Sequence, residues 1–136
     1  MSLFCFVRTG KFEYDLWSEQ TPFNCVSWHP DNSLVVTGSW DSAIRIYDVF
    51  NRKRKAVLRG HKTSVRAAAY SPSGRHICSA ALDGEVKLWW AANGSQVGQL
   101  TGHALPINDL CFSANGLEII TVSDDHKVKV TNTTYM

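Results

Sequence analysis

An all-β protein built from stacked four-stranded antiparallel sheets is what this 136-residue sequence predicts. Three observations carry that prediction. A short pattern returns three times, as GSWDSAIRIYD at 38–48, AALDGEVKLWW at 80–90 and VSDDHKVKVTN at 122–132. Its acidic residue recurs at Asp41, Asp83 and Asp125, a spacing of 42 both times, and Gly60-His61 returns at the same spacing as Gly102-His103. Between these landmarks, apolar runs of about five residues alternate with Pro, Gly, Asn and Asp, the chemistry of strands joined by tight turns.

Taken in order, residues 1–17 align without a gap on 43–59 and are expected to form the last two strands of a preceding unit. The first full unit is 18–59, the second 60–101, and the third, 102–136, lacks its last strand. The second unit is the most legible. VRAAAY leads into the turn Ser71-Pro72-Ser73-Gly74, HICSAA into the Asp83-Gly84 hairpin, and EVKLWW through Ala92-Asn93-Gly94 into SQVGQL. These are four strands, a to d. Ala43-Ile44-Arg45-Ile46-Tyr47 and Glu85-Val86-Lys87-Leu88-Trp89 alternate, which predicts one apolar and one polar face.

A four-stranded sheet of this size cannot bury both faces alone, so neighbouring units must stack. A period of about forty residues with four strands per unit reads as β-propeller blades. The expected strands make a little over three blades, incomplete as a ring that needs at least about four. The missing blades would come from the rest of a longer chain, a second copy or another protein. An open arc leaves unpaired strand edges that favour aggregation.

These residues resemble the WD-repeat family, marked by an early Gly-His and by Trp-Asp closing the third strand. The resemblance spans nearly the whole chain. It implies a hydrogen-bonded chain in each blade made of a His, a strand-b Ser or Thr, the hairpin Asp and the Trp, in which the His and backbone donors hold the carboxylate and the Ser links it to the indole N–H. Carried over, the second unit offers His61, Asp83 and Trp89, with Ala81 where Ser is usual. The third offers His103, Ser123 and Asp125, with Thr131 in place of Trp; the first offers Ser39, Asp41 and Tyr47, with Glu19 at the His position. The stretch Asn24-Cys-Val-Ser-Trp-His-Pro30 with Val35–Asp41 also looks similar to repeats of the telomerase- and vault-associated WD-repeat proteins. The implied role is a non-enzymatic scaffold that holds protein partners in a larger, ribonucleoprotein-type assembly.

The family pattern places contact residues just before the hairpin Asp and near the start of strand a. Here these are Trp40, Leu82 and Asp124, and Asn24, Arg66 and Asn108. Trp40 reads either as a binding anchor or as an indole packed over a neighbouring blade. The one charge run, Asn51-Arg52-Lys53-Arg54-Lys55, is expected in the c–d turn, as a solvated turn, a weak phosphate or RNA contact, or a nuclear-import signal.

Composition narrows the function classes. A net charge of +2 indicates neither an acidic partner nor a dedicated nucleic-acid module. Cys5, Cys25, Cys78 and Cys111 have no C-x-x-C spacing and lie in apolar runs, so buried free thiols are expected and no metal. His29 and His76 read as half-exposed strand residues, and His126 fills a hairpin place where Gly is common. No signal peptide, membrane-length apolar run, phosphate loop or nucleophile motif is expected. The sequons at Asn93 and Asn132 then carry no glycan, and no cofactor or enzymatic activity is expected, in a protein of the cytoplasm, the nucleus or both.

Overall fold

The computed structural model describes residues 3–5, 12–15 and 19–135, with side chains from Glu19 to Thr134. Thirteen strands are present among these residues, and no α-helix. Strands β1 (Leu3–Cys5) and β2 (Phe12–Asp15) pair with each other alone. Strands β3 (Phe23–Trp28), β4 (Leu34–Ser39), β5 (Ile44–Asp48) and β6 (Lys53–Leu58) form the first four-stranded antiparallel sheet. Strands β7 (Val65–Tyr70), β8 (His76–Ala81), β9 (Glu85–Trp90) and β10 (Gln96–Thr101) form the second. Strands β11 (Ile107–Phe112), β12 (Glu118–Ser123) and β13 (Val128–Asn132) make a three-stranded third sheet, followed by a 3-10 turn. Blades of four antiparallel strands in an unclosed arc are the expected fold.

The turns follow their residues. Each b–c hairpin places its third loop residue in the left-handed region, at Ser42 (φ 66°), Gly84 (φ 82°) and His126 (φ 64°). Only Gly84 meets that requirement without a side-chain clash. A Cβ on Gly84 would lie 2.3 Å from the His103 carbonyl oxygen, so the second hairpin is also wedged against the third blade.

Blades stack through two apolar cores. Val36, Ile44, Ile46 and Leu58 of the first blade meet Val65, Ala68, Tyr70 and Ile77 of the second. Ala80, Val86 and Leu88 of the second meet Ile107, Leu110 and Ile119 of the third. Gly38 sits inside the first contact, where an added Cβ would come within 2.5 Å of Val65 Cγ1.

One expectation from the alternation fails. Arg45 and Lys87, read as a polar face, are buried, Arg45 under its ion pairs with Asp41 and Glu19 and Lys87 under its bonds to Gln99 and Glu85. Among the described residues nothing covers the outer face of the third blade. Val128 is 68% exposed, whereas its counterparts Val86 and Ile44 are 4% and 0% exposed. Cys111 is exposed for the same reason, and Cys25 is half-buried; among the described side chains only Cys78 is a fully buried thiol. Cys5 has its side chain outside the described residues.

Candidate functional site

The polar chain inside the third blade is the simplest. His103 Nδ1 lies 2.8 Å from Asp125 Oδ2, and its Nε2 lies 2.7 Å from Thr121 Oγ1. The Lys127 and Ala104 N–H groups donate to the same carboxylate. Burial pushes the Asp125 carboxyl up, but the hydrogen bonds from His103 and these backbone donors outweigh it and hold it below the usual range.

In the second blade His61 Nε2 lies 2.7 Å from Ser79 Oγ, and Trp89 Nε1–H donates to that oxygen at 2.8 Å. The strand-b member is therefore Ser79, two residues from the expected Ala81, and in the third blade it is Thr121 rather than Ser123. Side chains two apart in a strand share a face, so both positions fit the pattern, but the His reaches the one deeper in the sheet. Ser123 instead donates to the Leu105 carbonyl and accepts the Asp125 N–H, which makes it a hairpin residue. Asp83 accepts the Glu85 N–H and stands apart from His61, whose Nδ1 finds no partner among the described residues. Burial, helped by the Lys87 charge against that of Asp83, pushes the His61 imidazole down to about 4. His61, Asp83 and Glu85 present atoms within 4.8 Å of one another. The Lys87 ammonium lies 3.5 Å from Glu85 and supplies the positive charge there, so the cluster is not built for a cation.

The first blade replaces this chain with charges. Arg45 grips Asp41 with Nη1–Oδ1 at 3.0 Å and Nη2–Oδ2 at 2.5 Å, and its Nη1 also donates to Ser39 Oγ. Ser39 itself donates to Asp41. Glu19, standing where the other blades have His, lies 3.3 Å from Arg45 Nε, 2.8 Å from Arg54 Nη1 and 3.5 Å from the Tyr47 hydroxyl. The Arg45 guanidinium, with Ser39 and the Ala43 N–H, holds the Asp41 carboxyl far below its ordinary range. Burial and the Glu19 charge push the Tyr47 phenol up to about 12. Sequence reading missed Arg45 and Glu19 as partners. The signal was present as an acid at a His position and a cation on strand c of the same unit.

A different set of residues gathers at one end of the sheets. Each strand a carries a register shift, at Phe23/Cys25, Val65/Ala67 and Ile107/Asp109, so Asn24, Arg66 and Asn108 are the extra residues of three bulges. Trp40, Leu82 and Asp124 lie beside them, their N–H groups bonded to the carbonyls of Pro22, Ser64 and Pro106. Three of the six are already committed to side-chain bonds. Asn24 donates to Ser64 Oγ at 2.9 Å and the Val65 carbonyl at 2.8 Å, tying the first blade to the second. Asn108 donates to Asp124 Oδ1 at 2.6 Å. Arg66 and Leu82 are half-buried, and Trp40 is 59% exposed. Leu105, absent from the expected set, is exposed at the same end.

The basic run lies elsewhere and differently from expectation. Asn51 and Arg52 form the turn, with Asn51 bonded to Asp48, but Lys53, Arg54 and Lys55 belong to β6, the outermost strand. All four basic side chains are exposed, and Arg54 reaches Glu19. Lysine and arginine on an outer strand also discourage edge-to-edge pairing.

Known proteins share these repeats. The chain is 35% identical over 49 residues to periodic tryptophan protein 2 of Saccharomyces cerevisiae, covering 36% of this chain and 5% of that protein. It is 35% identical over 57 residues to nuclear distribution protein nudF 2 of Aspergillus clavatus, covering 42% of this chain and 13% of that protein. Among solved structures, U3-55K and the RRP9 WD40 repeats each superpose with a TM-score of 0.84 at 24% identity, over 88% of this chain and 38% of theirs. These likenesses lend no support to the closer kinship with telomerase- and vault-associated proteins. The model of the WD domain, G-beta repeat, matches at 11–48, 52–89 and 94–132. Those three matches cover most of the sequence, and the chain belongs to the WD-repeat family.

Proposed function

We propose that this chain is a protein-binding scaffold without chemistry of its own, acting inside a larger assembly. Its contact face is the end of the blades that carries Asn24, Trp40, Arg66, Leu82, Asn108 and Asp124. The observation that carries this reading is the Trp40 indole, 59% exposed beside a strand bulge rather than packed over a neighbouring blade. A rigid exposed aromatic above a well-bonded backbone is the usual anchor of a protein interface. Asn24 and the Asn108–Asp124 pair support that surface more than they reach from it, which leaves Trp40 and Arg66 as the main contacts.

The buried His and Asp residues are scaffold members. His61 and His103 hold the Ser79 and Thr121 hydroxyls, and both hydroxyls are buried inside their sheets, where neither is placed to attack a substrate. The experiment is capture of soluble protein partners on the immobilised chain, with Trp40→Ala and Arg66→Ala compared against the unchanged protein. Loss of capture in both variants is expected, and undiminished capture by both would remove this face.

A second reading gives Arg52, Lys53, Arg54 and Lys55 a contact with RNA phosphates, favoured by the exposure of all four. Binding of single-stranded RNA that weakens steeply with salt would support it. Salt-independent binding would oppose it. Work in the nucleus, the cytoplasm or both fits either reading.

A further inference from the structure

The second and third blades are alike around one side chain and differ at it. Trp89 of β9 is 2% exposed and packs with Ile44 and Leu58 of the first blade and Ile77 of its own. Its ring reaches the Gly60 backbone, where an added Cβ would lie 2.9 Å from Trp89 Cη2, and its N–H ends on Ser79. One period on, the residue in this place is Thr131 of β13. The walls recur without the ring. Val86, Leu100 and Ile119 stand where Ile44, Leu58 and Ile77 stand, and Gly102 and Thr121 replace Gly60 and Ser79. With Thr131 they line a cavity of about 180 Å³. An apolar cavity of roughly 150 Å³ takes up benzene, so this one has room for a somewhat larger ring.

The polar end of the cavity is half-finished. In the neutral imidazole of His103, Nδ1–H donates to Asp125, so Nε2 accepts from the Thr121 hydroxyl. Thr121 is 5% exposed, and no donor among the described residues reaches its oxygen. The equivalent oxygen of Ser79 takes the indole N–H. A buried acceptor at a cavity wall calls for an N–H donor.

Lys129 crosses the same space. Its ammonium donates to the Gly102 carbonyl and lies 3.2 Å from the place of a Gly102 Cβ, where the second blade has the rim of the Trp89 ring. Its counterpart Lys87 turns instead to Glu85 and Gln99. A cation at the rim is drawn to an electron-rich ring and gains little from a saturated one.

We propose that this cavity is a binding site for an indole-type heterocycle, a planar bicyclic ring with one N–H. The ring lies among Val86, Leu100 and Ile119, gives its N–H to Thr121 Oγ1 and meets the Lys129 ammonium at its rim. The vacancy is that of one side chain between two blades that are both present, whatever lies beyond β13.

The experiment is titration of the isotope-labelled 136-residue chain with indole, read from amide shifts in NMR spectra. Saturable shifts centred on Leu100, Ile119 and Thr121 are expected. Benzofuran has the same outline with an oxygen in place of the N–H. It should bind roughly tenfold more weakly, the loss of one hydrogen bond to a buried acceptor. Thr131→Trp should fill the cavity with the chain's own ring, raise the melting temperature and abolish the indole shifts. A spectrum unchanged up to the solubility of indole overturns the proposal. So do shifts that leave these three amides in place, or benzofuran binding as tightly as indole; these comparisons use the unchanged chain and need no variant. A folded Thr131→Trp chain that takes up indole as before overturns it as well.

Discussion

Arg45 and Asp41 form a two-point ion pair four residues apart, closing the first b–c hairpin from the inside of the blade. The same guanidinium touches Glu19 through Nε, so one cation holds the residue that stands for the family's His and the hairpin acid together. In the second blade His61, Ser79 and Trp89 do this work without a carboxylate. The first blade therefore depends on charge where the second depends on hydrogen-bond direction.

Removing that cation should be costly. Arg45→Met strips Asp41 of its counter-charge and leaves Glu19 with Arg54 alone, and a loss of about 2–4 kcal/mol is expected, lower than for a sealed pair because Asp41 is partly solvated. Glu19→His in the same background should recover part of it, since His rebuilds the arrangement of the other blades. Urea melts of the single and double variants measure both. The Asp41 carboxyl is depressed in the fold, so its contribution is present above its unfolded value near 3.8 and is lost as pH falls below it.

The register of strand b can be checked by stability alone. Ser79→Ala strips the partner from both the His61 Nε2 and the Trp89 indole N–H, and should cost about 2–3 kcal/mol. Thr121→Val removes a single bond to His103 and should cost about 1–2 kcal/mol. Ser123→Ala, at the expected but incorrect position, should cost less than either.

His61 gives the protein a pH dependence of defined sign. Its folded value near 4 lies below the ordinary 6.5, so between those values the unfolded chain binds more protons than the folded one. Stability is therefore full above about pH 6.5 and falls as pH drops toward 4. From pH 6.5 to 5 the loss should be about 2 kcal/mol. Thermal melts across that range should show it, and His61→Gln should flatten the slope.

The hairpins offer a gain and a loss. Ser42→Gly and His126→Gly each replace a side chain held at positive φ, and each should stabilise by about 0.5–1 kcal/mol. Gly84→Ala combines positive φ with a backbone clash and should destabilise by more than about 2 kcal/mol. Opposite signs at equivalent positions would be read directly from melting temperatures.

Repeat spacing made the strands and their grouping legible, because Asp41, Asp83 and Asp125 punctuate the chain at one fixed interval. The left-handed place of His126 was legible for the same reason. What was not legible is how deep a side chain reaches. Ser79 and Ala81, like Thr121 and Ser123, point the same way from a strand, and only the third dimension separates a core link from a hairpin residue. Arg45 was hidden because alternation is blind to partners outside the strand: Asp41 and Glu19 cover a side chain that reads as outward-facing. The charge run at 52–55 misled in the opposite direction, since a cluster of cations reads as a turn and here continues into an outer strand.

Gly38, Ala80 and Val122 occupy one place in three successive repeats, and their size grows along the chain. Only the first has Val65 pressed into the space a side chain would need. The units are thus not interchangeable tiles: copying the third over the first would drive a valine into Val65. Each repeat carries its place in the order as a side-chain volume, and a shuffled or duplicated array would have to repack at that one position before it could stack.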